Sequence, residues 1–336
     1  MSSSDANLIT NWNNASSIIN GYVIIGIYVV GLIGNLLNIF VLSQKTLRTS
    51  TSAILLLCSS IAGIIVLLSG CTSRIISNWT NELSDIYDWL CKFRNFVLYF
   101  GRTMVLCTIT IATIDRWFSS SMHVNRRQKS SMKNILIGLA IVSFYSCIIN
   151  IPIIFCYETN QVGTLLMCYG STYSCRVSTD MIYAIGSILV PLTIMTIFSL
   201  LLVRNVRQMN NRIQHTSSSV SNQERKQPQH ITPALQRRKK IDRQILIMLL
   251  AQVTLLFVLT IPQAVQKVYT SFNTVPSRRT LSGAIQNGIF SIFSCLSYIA
   301  SAMPFYIYTL SGGSVFRNTF FDLMKNAYQK LLHRSR

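Results

Sequence analysis

The sequence predicts an all-α membrane protein, a bundle of seven transmembrane helices followed by a short interfacial eighth helix. Three observations carry this prediction. The 336 residues are 50% hydrophobic but only 12% charged, with a mean hydropathy of +0.41, whereas a soluble domain carries roughly 25% charged residues. The apolar residues fall in long blocks without polar faces, and a helix needs about 20 of them to cross a hydrocarbon core ~30 Å thick. The 30 lysines and arginines, finally, segregate to alternate connecting segments.

Taken in order, residues 1–20 are polar and form an amino-terminal segment. Residues 21–310 hold the seven blocks, at 21–43, 52–71, 93–118, 135–156, 182–203, 245–267 and 284–310. The first, GYVIIGIYVVGLIGNLLNIFVLS, has no charge at all. The second and seventh are richer in Ser, Gly and Ala, which suits close helix packing. Blocks four to seven contain Pro152, Pro191, Pro262 and Pro304; a proline inside a membrane helix frees a carbonyl and kinks the helix. The segment around 208–236 includes HTSSSVSNQERKQPQH, polar and poor in aromatics, and is expected to be disordered. Residues 311–336 open on two glycines. They then cluster Phe316, Phe320, Phe321, Leu323 and Met324 among basic residues, the pattern of a helix lying in the membrane interface.

The basic residues set the topology. Segments 45–48, 116–133, 204–243 and 317–336 hold 22 of the 30 Lys and Arg; with the adjoining Asp115, four acids lie on this side, a net of +18, while the opposite side nets +2. That asymmetry places the amino terminus outside and the carboxyl terminus in the cytoplasm of a multi-pass plasma-membrane protein. The basic excess is therefore a topology signal that also attracts anionic lipid, not a footprint for nucleic acid. The first 20 residues lack a basic start and give no cleavable leader. Sequons at Asn14 and Asn78 both fall on the predicted outer side, as glycosylation there requires. Among the spans no acid, histidine or metal-ligand cluster occurs. This argues against an enzyme, a metal site or a cofactor. A transporter or channel would need intramembrane acids or an internal repeat, and only Asp115, at the end of the third block, is acidic.

Cys91 stands at the outer mouth of helix three and Arg116 lies 25 residues later, ~37 Å along a helix and hence one membrane crossing. Seven spans, an outside amino terminus, this spacing and the triplet Asp115-Arg116-Trp117 together resemble the rhodopsin-like G-protein-coupled receptors, with tryptophan replacing the tyrosine of their Asp-Arg-Tyr motif. The resemblance covers residues 20–325 and lies nearest the invertebrate peptide and orphan receptors. Gly34-Asn35 matches the family's pair in helix one. Pro191 and Pro262 match its prolines in helices five and six, and Phe316-Arg317 its opening of helix eight. Other landmarks differ. Gly63 occupies the region of the helix-two aspartate, and helix four lacks its tryptophan. Helix six reads Leu259-Thr260-Ile261-Pro262 without the toggle tryptophan. Helix seven keeps Pro304 and Tyr308 one residue out of register, without the preceding asparagine.

The resemblance implies a receptor that binds an extracellular ligand and signals to a heterotrimeric G protein; a seven-helix receptor that no longer couples is the alternative. It assigns the switch to Asp115, Arg116, Trp117 and Asp242, with Arg116 bonding Asp115 locally and Asp242 across the bundle. Cys91 would pair with Cys168 or, alternatively, Cys175, and Cys156 would take the remaining partner. The ligand pocket is expected around Arg102, Leu98, Gln263, Gln266 and Gln286. A membrane-embedded arginine costs at least ~2.5–3.5 kcal/mol by insertion scales and so calls for a purpose: Arg102 either receives an acidic group or carbonyl of the ligand, or is satisfied by polar neighbours such as Gln263 or Gln266. Leu98 stands where amine receptors carry an aspartate, and residues 282–310 contain no lysine for a retinal Schiff base. A mixed rim of Asp85, Asp88, Glu158 and Asp180 beside Arg94, Arg176, Lys267, Arg278 and Arg279 suits a peptide.

Overall fold

A computed structural model describes residues 3–44, 50–79, 86–121, 123–162, 165–220, 233–273, 280–311, 320, 321 and 325. It describes the side chains of all of these except 3, 4, 160–167, 169, 209–220, 233–248, 310 and 311. Seven helices are long and apolar enough to cross a membrane: α1 (Asp5–Leu42), α2 (Thr51–Trp79), α3 (Asp88–Ser119), α4 (Met132–Cys156), α5 (Tyr173–Gln208), α6 (Leu249–Phe272) and α7 (Leu281–Ala302). After Met303 the chain resumes as α8 (Pro304–Ser311). Between α4 and α5 lies an antiparallel hairpin, β1 (Tyr157–Val162) and β2 (Leu165–Gly170), in the register Tyr157 opposite Gly170.

Helix starts carry their own signals. Ser131, Thr172 and Thr280 precede the first turns of α4, α5 and α7, where their hydroxyls accept from the backbone N–H groups of Asn134, Cys175 and Gly283. Such caps satisfy donors that have no partner within the helix. In α5 a π-helical stretch, Ile182–Leu189, precedes Pro191. Proline has no N–H to return to the preceding turn, and the Tyr145 hydroxyl of α4 donates to the Gly186 carbonyl within this stretch at 3.0 Å. Proline irregularities in membrane helices persist through such compensation by neighbours.

The bundle is built around α3. Two-thirds of its most apolar window is buried (67%), against 17% for α4, which therefore lies at the periphery. The main core joins Tyr99, Val105, Leu106 and Ile109 of α3 to Tyr183, Ile188, Leu192 and Met195 of α5 and to Val253, Leu256 and Leu259 of α6. A second cluster fills the Arg116 end with Val41, Leu55, Leu56, Ala112, Leu249, Phe305 and Tyr308. Phe144 and Phe155 of α4 point outward, as do Leu200 of α5 and Val265 of α6. Apolar residues facing out all round a bundle need an apolar solvent, and the lipid bilayer supplies it.

Several boundaries differ from the sequence reading. The polar amino-terminal segment is helical from Ser3 and continues into α1 through a π-helical turn at Ile19–Val23. Its face is held on α7: the Ser16 and Ser291 hydroxyls lie 2.8 Å apart, Asn287 donates to Ser16 at 3.0 Å, and Trp12 packs on Gly288, whose missing Cβ would stand 2.5 Å from the indole. Burial of one face by docking explains a helix that Ser and Asn content alone disfavours. Helix α5 continues to Val220 and the helix containing α6 begins at Pro233, so helix replaces much of the disordered loop expected at 208–236; residues 221–232 lie outside the described residues. Of the interfacial helix expected after residue 311, the described residues are Phe320, Phe321 and Lys325, all helical. The Phe320 ring packs edge-on against Phe305 of α8 at 5.6 Å.

Candidate functional site

The middle of the bundle is organised by one charge. Arg102 of α3 is only 7% exposed. Its Nη1 donates to the Tyr183 hydroxyl of α5 at 3.1 Å and to Gln263 Oε1 of α6 at 3.2 Å. Tyr183 donates to the same Gln263 oxygen at 3.3 Å, so three helices meet at a single amide. On its other side the guanidinium lies 5.0 Å from the centre of the Tyr298 ring of α7. Gly70 of α2 makes room for that ring: a Cβ there would meet Tyr298 at 2.5 Å and Leu98 at 2.9 Å. Among the described residues no carboxylate reaches Arg102, which is thus a buried cation met by neutral oxygens and an aromatic face. Such partners moderate the desolvation cost without cancelling the charge.

Toward the disulfides, Tyr183 stacks edge-on with Tyr99 at 4.8 Å, and the Tyr99 and Tyr157 hydroxyls lie 3.4 Å apart. Burial, and then the neighbouring Tyr99, hold the Tyr157 phenol well above the ordinary tyrosine range, so it stays neutral. Above these rings Lys267 of α6 forms a buried ion pair with Asp180 of α5 at 2.9 Å, and Ser271 donates to the second Asp180 oxygen at 3.0 Å. Cys91 is bonded to Cys168, tying α3 to β2, and Cys156 to Cys175, tying α4 to α5. Of the pocket residues expected from sequence, the structure brings Arg102 and Gln263 together. It sets Gln266 beside the Gln286 carbonyl at 3.5 Å and leaves Leu98 on the α2–α7 side, packed with Tyr298. The tyrosine cage and the Asp180–Lys267 pair escaped sequence reading as a site. The signal available was a charge at the edge of an apolar block: Asp180 just before 182–203 and Lys267 at the end of 245–267.

At the opposite end, Asp115 is buried, but its carboxylate is not bound to its neighbour Arg116. It accepts from Thr51 (2.7 Å) and Ser52 (3.3 Å) of α2 and from Ser130 (2.5 Å) of the segment before α4. Successive residues on a helix diverge by ~100°, which turns the aspartate toward α2 while Arg116 stays half-buried on another face. Trp117 packs edge-on against Phe198 of α5 at 5.1 Å, with Arg126 5.7 Å from its ring. The side chain of Asp242 lies outside the described residues, so the expected cross-bundle pair has no description. Tyr308 of α8 donates to Gln252 of α6 at 2.6 Å, both fully buried.

The remaining landmarks are structural joints. Asn35 donates to the Ser301 carbonyl of α7 at 3.0 Å. A Cβ on Gly63 would stand 3.1 Å from both the Asn35 side-chain oxygen and the Ser301 carbonyl. An aspartate does not fit there without displacing that contact. Pro262 directly precedes Gln263, and Pro304 begins α8. The sequon asparagines fare differently. Asn14 is exposed, but the Asn78 side chain packs on α1, with its nitrogen 2.6 Å from where a Gly21 Cβ would stand. It also accepts from Ser17 at 3.2 Å. Among the described residues no cluster of His, Cys, Asp or Glu is suited to a metal.

Residues 34–308 match the family model of the 7 transmembrane receptor (rhodopsin family). No curated protein matches the chain.

Proposed function

The chain belongs to the rhodopsin family of seven-transmembrane receptors, and from that premise we propose that it binds an extracellular peptide and signals to a heterotrimeric G protein through Asp115-Arg116-Trp117. The observation that carries this reading is Arg102, a buried cation in mid-bundle whose described partners are all neutral. An acidic group or carbonyl of the ligand is its natural complement. A carboxylate is a stronger acceptor for a guanidinium than a neutral amide is. Its arrival would draw Arg102 away from Gln263 and release the link between α3 and α6. Gln263 follows Pro262, which lies inside the continuous α6 helix and removes one backbone hydrogen bond there, where α6 can swing. Outward movement of α6 would then open a crevice around Arg116 for the G protein.

The basic segments beside Arg116 orient this end toward the cytoplasm, and the mixed charges near the disulfides suit a peptide. Asp242 lies 20 residues before Pro262, ~30 Å along the helix, which places it at the level of Arg116 as the proposed resting partner. Exposed pairs of this kind contribute only ~0–1 kcal/mol, yet a receptor poised between two states responds to a bias of that size.

The test is a coupling assay in cells with a panel of G proteins, first without ligand and then with a peptide library. Arg102→Ala is expected to abolish the agonist response while surface expression is retained; lost expression would make Arg102 a structural residue. Asp242→Ala should raise basal signalling, and an unchanged basal level would remove the lock. Failure of the wild type to activate any G protein would favour a receptor without coupling, the reading to which the absent helix-six tryptophan and helix-seven asparagine point.

A further inference from the structure

We propose that the docked amino-terminal helix completes a second ligand site, one for a small monocarboxylate that also carries hydroxyl or amide groups. Where α1 leans on α2 and α7 there is a cavity of about 260 Å³, and every residue lining it is Asn, Ser or Arg. A void of ~10–15 Å³ holds a single water molecule, so this space has room for a solute. Part of the lining is used in docking the helix. Ser17 donates to Asn78 Oδ1 at 3.2 Å, the Asn287 nitrogen to Ser16 at 3.0 Å, and Ser77 to the Arg74 carbonyl at 3.2 Å. The rest is free. Among the described residues the Arg74 guanidinium makes one hydrogen bond, from Nη2 to Ser294 at 3.2 Å, and it rests 4.5 Å from the centre of the Phe290 ring. Its Nε and Nη1 are unbonded, as are both polar atoms of the Asn13 amide, the Asn78 nitrogen and the Asn287 side-chain oxygen, and none of these atoms is sealed from solvent.

The free groups select the occupant. One guanidinium among neutral amides complements one negative charge, and a carboxylate brings one; a phosphate monoester brings nearly two. Hydrogen bonds from a guanidinium to a carboxylate are charge-assisted and about twice as strong as neutral ones. The Asn13 and Asn287 oxygens need donors, which a bare anion lacks and a hydroxyl or amide N–H of the same molecule supplies. An apolar molecule would leave all these groups unpaired, and a cation is repelled by Arg74. Because Asn13 belongs to the amino-terminal helix while Arg74 and Asn287 belong to the bundle, such a ligand would favour the docked arrangement over an undocked one. The site shares no lining residue with the small cavity beside Arg102, and it does not rest on the peptide reading.

The experiment uses the full-length receptor in lipid nanodiscs, without peptide or G protein. Thermal unfolding is followed against sodium chloride at equal ionic strength. Sodium gluconate and sodium N-acetylglycinate carry the acid with hydroxyl or amide groups, sodium propionate carries the acid alone, and sorbitol the hydroxyls alone. At least one of the first two is expected to raise the unfolding temperature saturably by about 1–3 °C. Propionate should need about tenfold more to half-saturate, and sorbitol should give no saturable rise. Arg74→Gln should abolish the response. Asn13→Leu breaks no hydrogen bond among the described residues and should raise the half-saturating concentration about three- to tenfold; it stands in if Arg74→Gln does not fold. The proposal is overturned by no saturable rise from either acid, by propionate matching both, or by a rise undiminished in the two variants. A saturable rise in a receptor that activates no G protein would strike the signalling reading and leave this site standing.

Discussion

The two ends of the bundle are fastened by different chemistry. At the hairpin end, two disulfides bind α3 to β2 and α4 to α5, and a buried ion pair joins α5 to α6. At the Arg116 end the described links are hydrogen bonds and ring contacts: three hydroxyls on Asp115, Tyr308 on Gln252, Trp117 against Phe198. Covalent and largely buried ionic links do not exchange readily with water, whereas each hydroxyl contact contributes only about 0.5–3 kcal/mol. One end is thus a clamp and the other a set of releasable catches, the division of labour a signalling bundle needs.

Four substitutions probe this contrast, the largest effect first. Asp180→Ala takes the carboxylate away from the buried Lys267 ammonium and should cost about 3–5 kcal/mol, read as a drop in unfolding temperature. The double variant Asp180→Asn with Lys267→Met should recover most of it, and no recovery would mean the damage is packing. Cys91→Ser should cost about 2–5 kcal/mol and reduce surface expression, measured by cell-surface labelling under oxidising conditions. At the other end, Asp115→Asn weakens three hydrogen bonds and should cost about 1–3 kcal/mol. Its more telling effect should be higher basal G-protein activation; a loss of stability without that rise would make the aspartate mere scaffolding. Tyr308→Phe removes one buried hydroxyl, for about 0.5–1.5 kcal/mol, and should shift basal signalling least. If it exceeded Asp180→Ala in destabilisation, the clamp-and-catch contrast would be reversed.

Much of this architecture was legible in the sequence because a bilayer imposes one simple demand on helices, sustained apolar length. Arg102 was legible for the complementary reason: a charge inside such a run is expensive and stands out. The partners of Asp115 were not. Thr51, Ser52 and Ser130 come from two other segments, and hydroxyl side chains on membrane helices are too common to mark a particular contact. The resemblance to a family suggested that the arginine beside Asp115 would bind it, but helical rotation separates the two side chains. The amino-terminal helix was hidden for a different reason. Its polar sequence has little drive to form a helix alone, and its order comes from Trp12 and Ser16 meeting α7 far along the chain. Gly63 reads as a missing landmark in sequence and as a filled contact in space.

That first helix has a mechanical side. It spans 38 residues, about 57 Å at ~1.5 Å per residue, nearly twice the ~30 Å hydrocarbon core. The polar surplus is long enough to extend past the hydrocarbon, and it forms a mast braced against α7 rather than a loose leash. A tag or fluorescent protein fused to the amino terminus would therefore ride on a lever with its brace at Ser291, and a load there would be transmitted to the top of α7. Reporter fusions at this terminus need a flexible spacer before Asp5, whereas a sugar on the exposed Asn14 would project sideways from the mast without touching its brace.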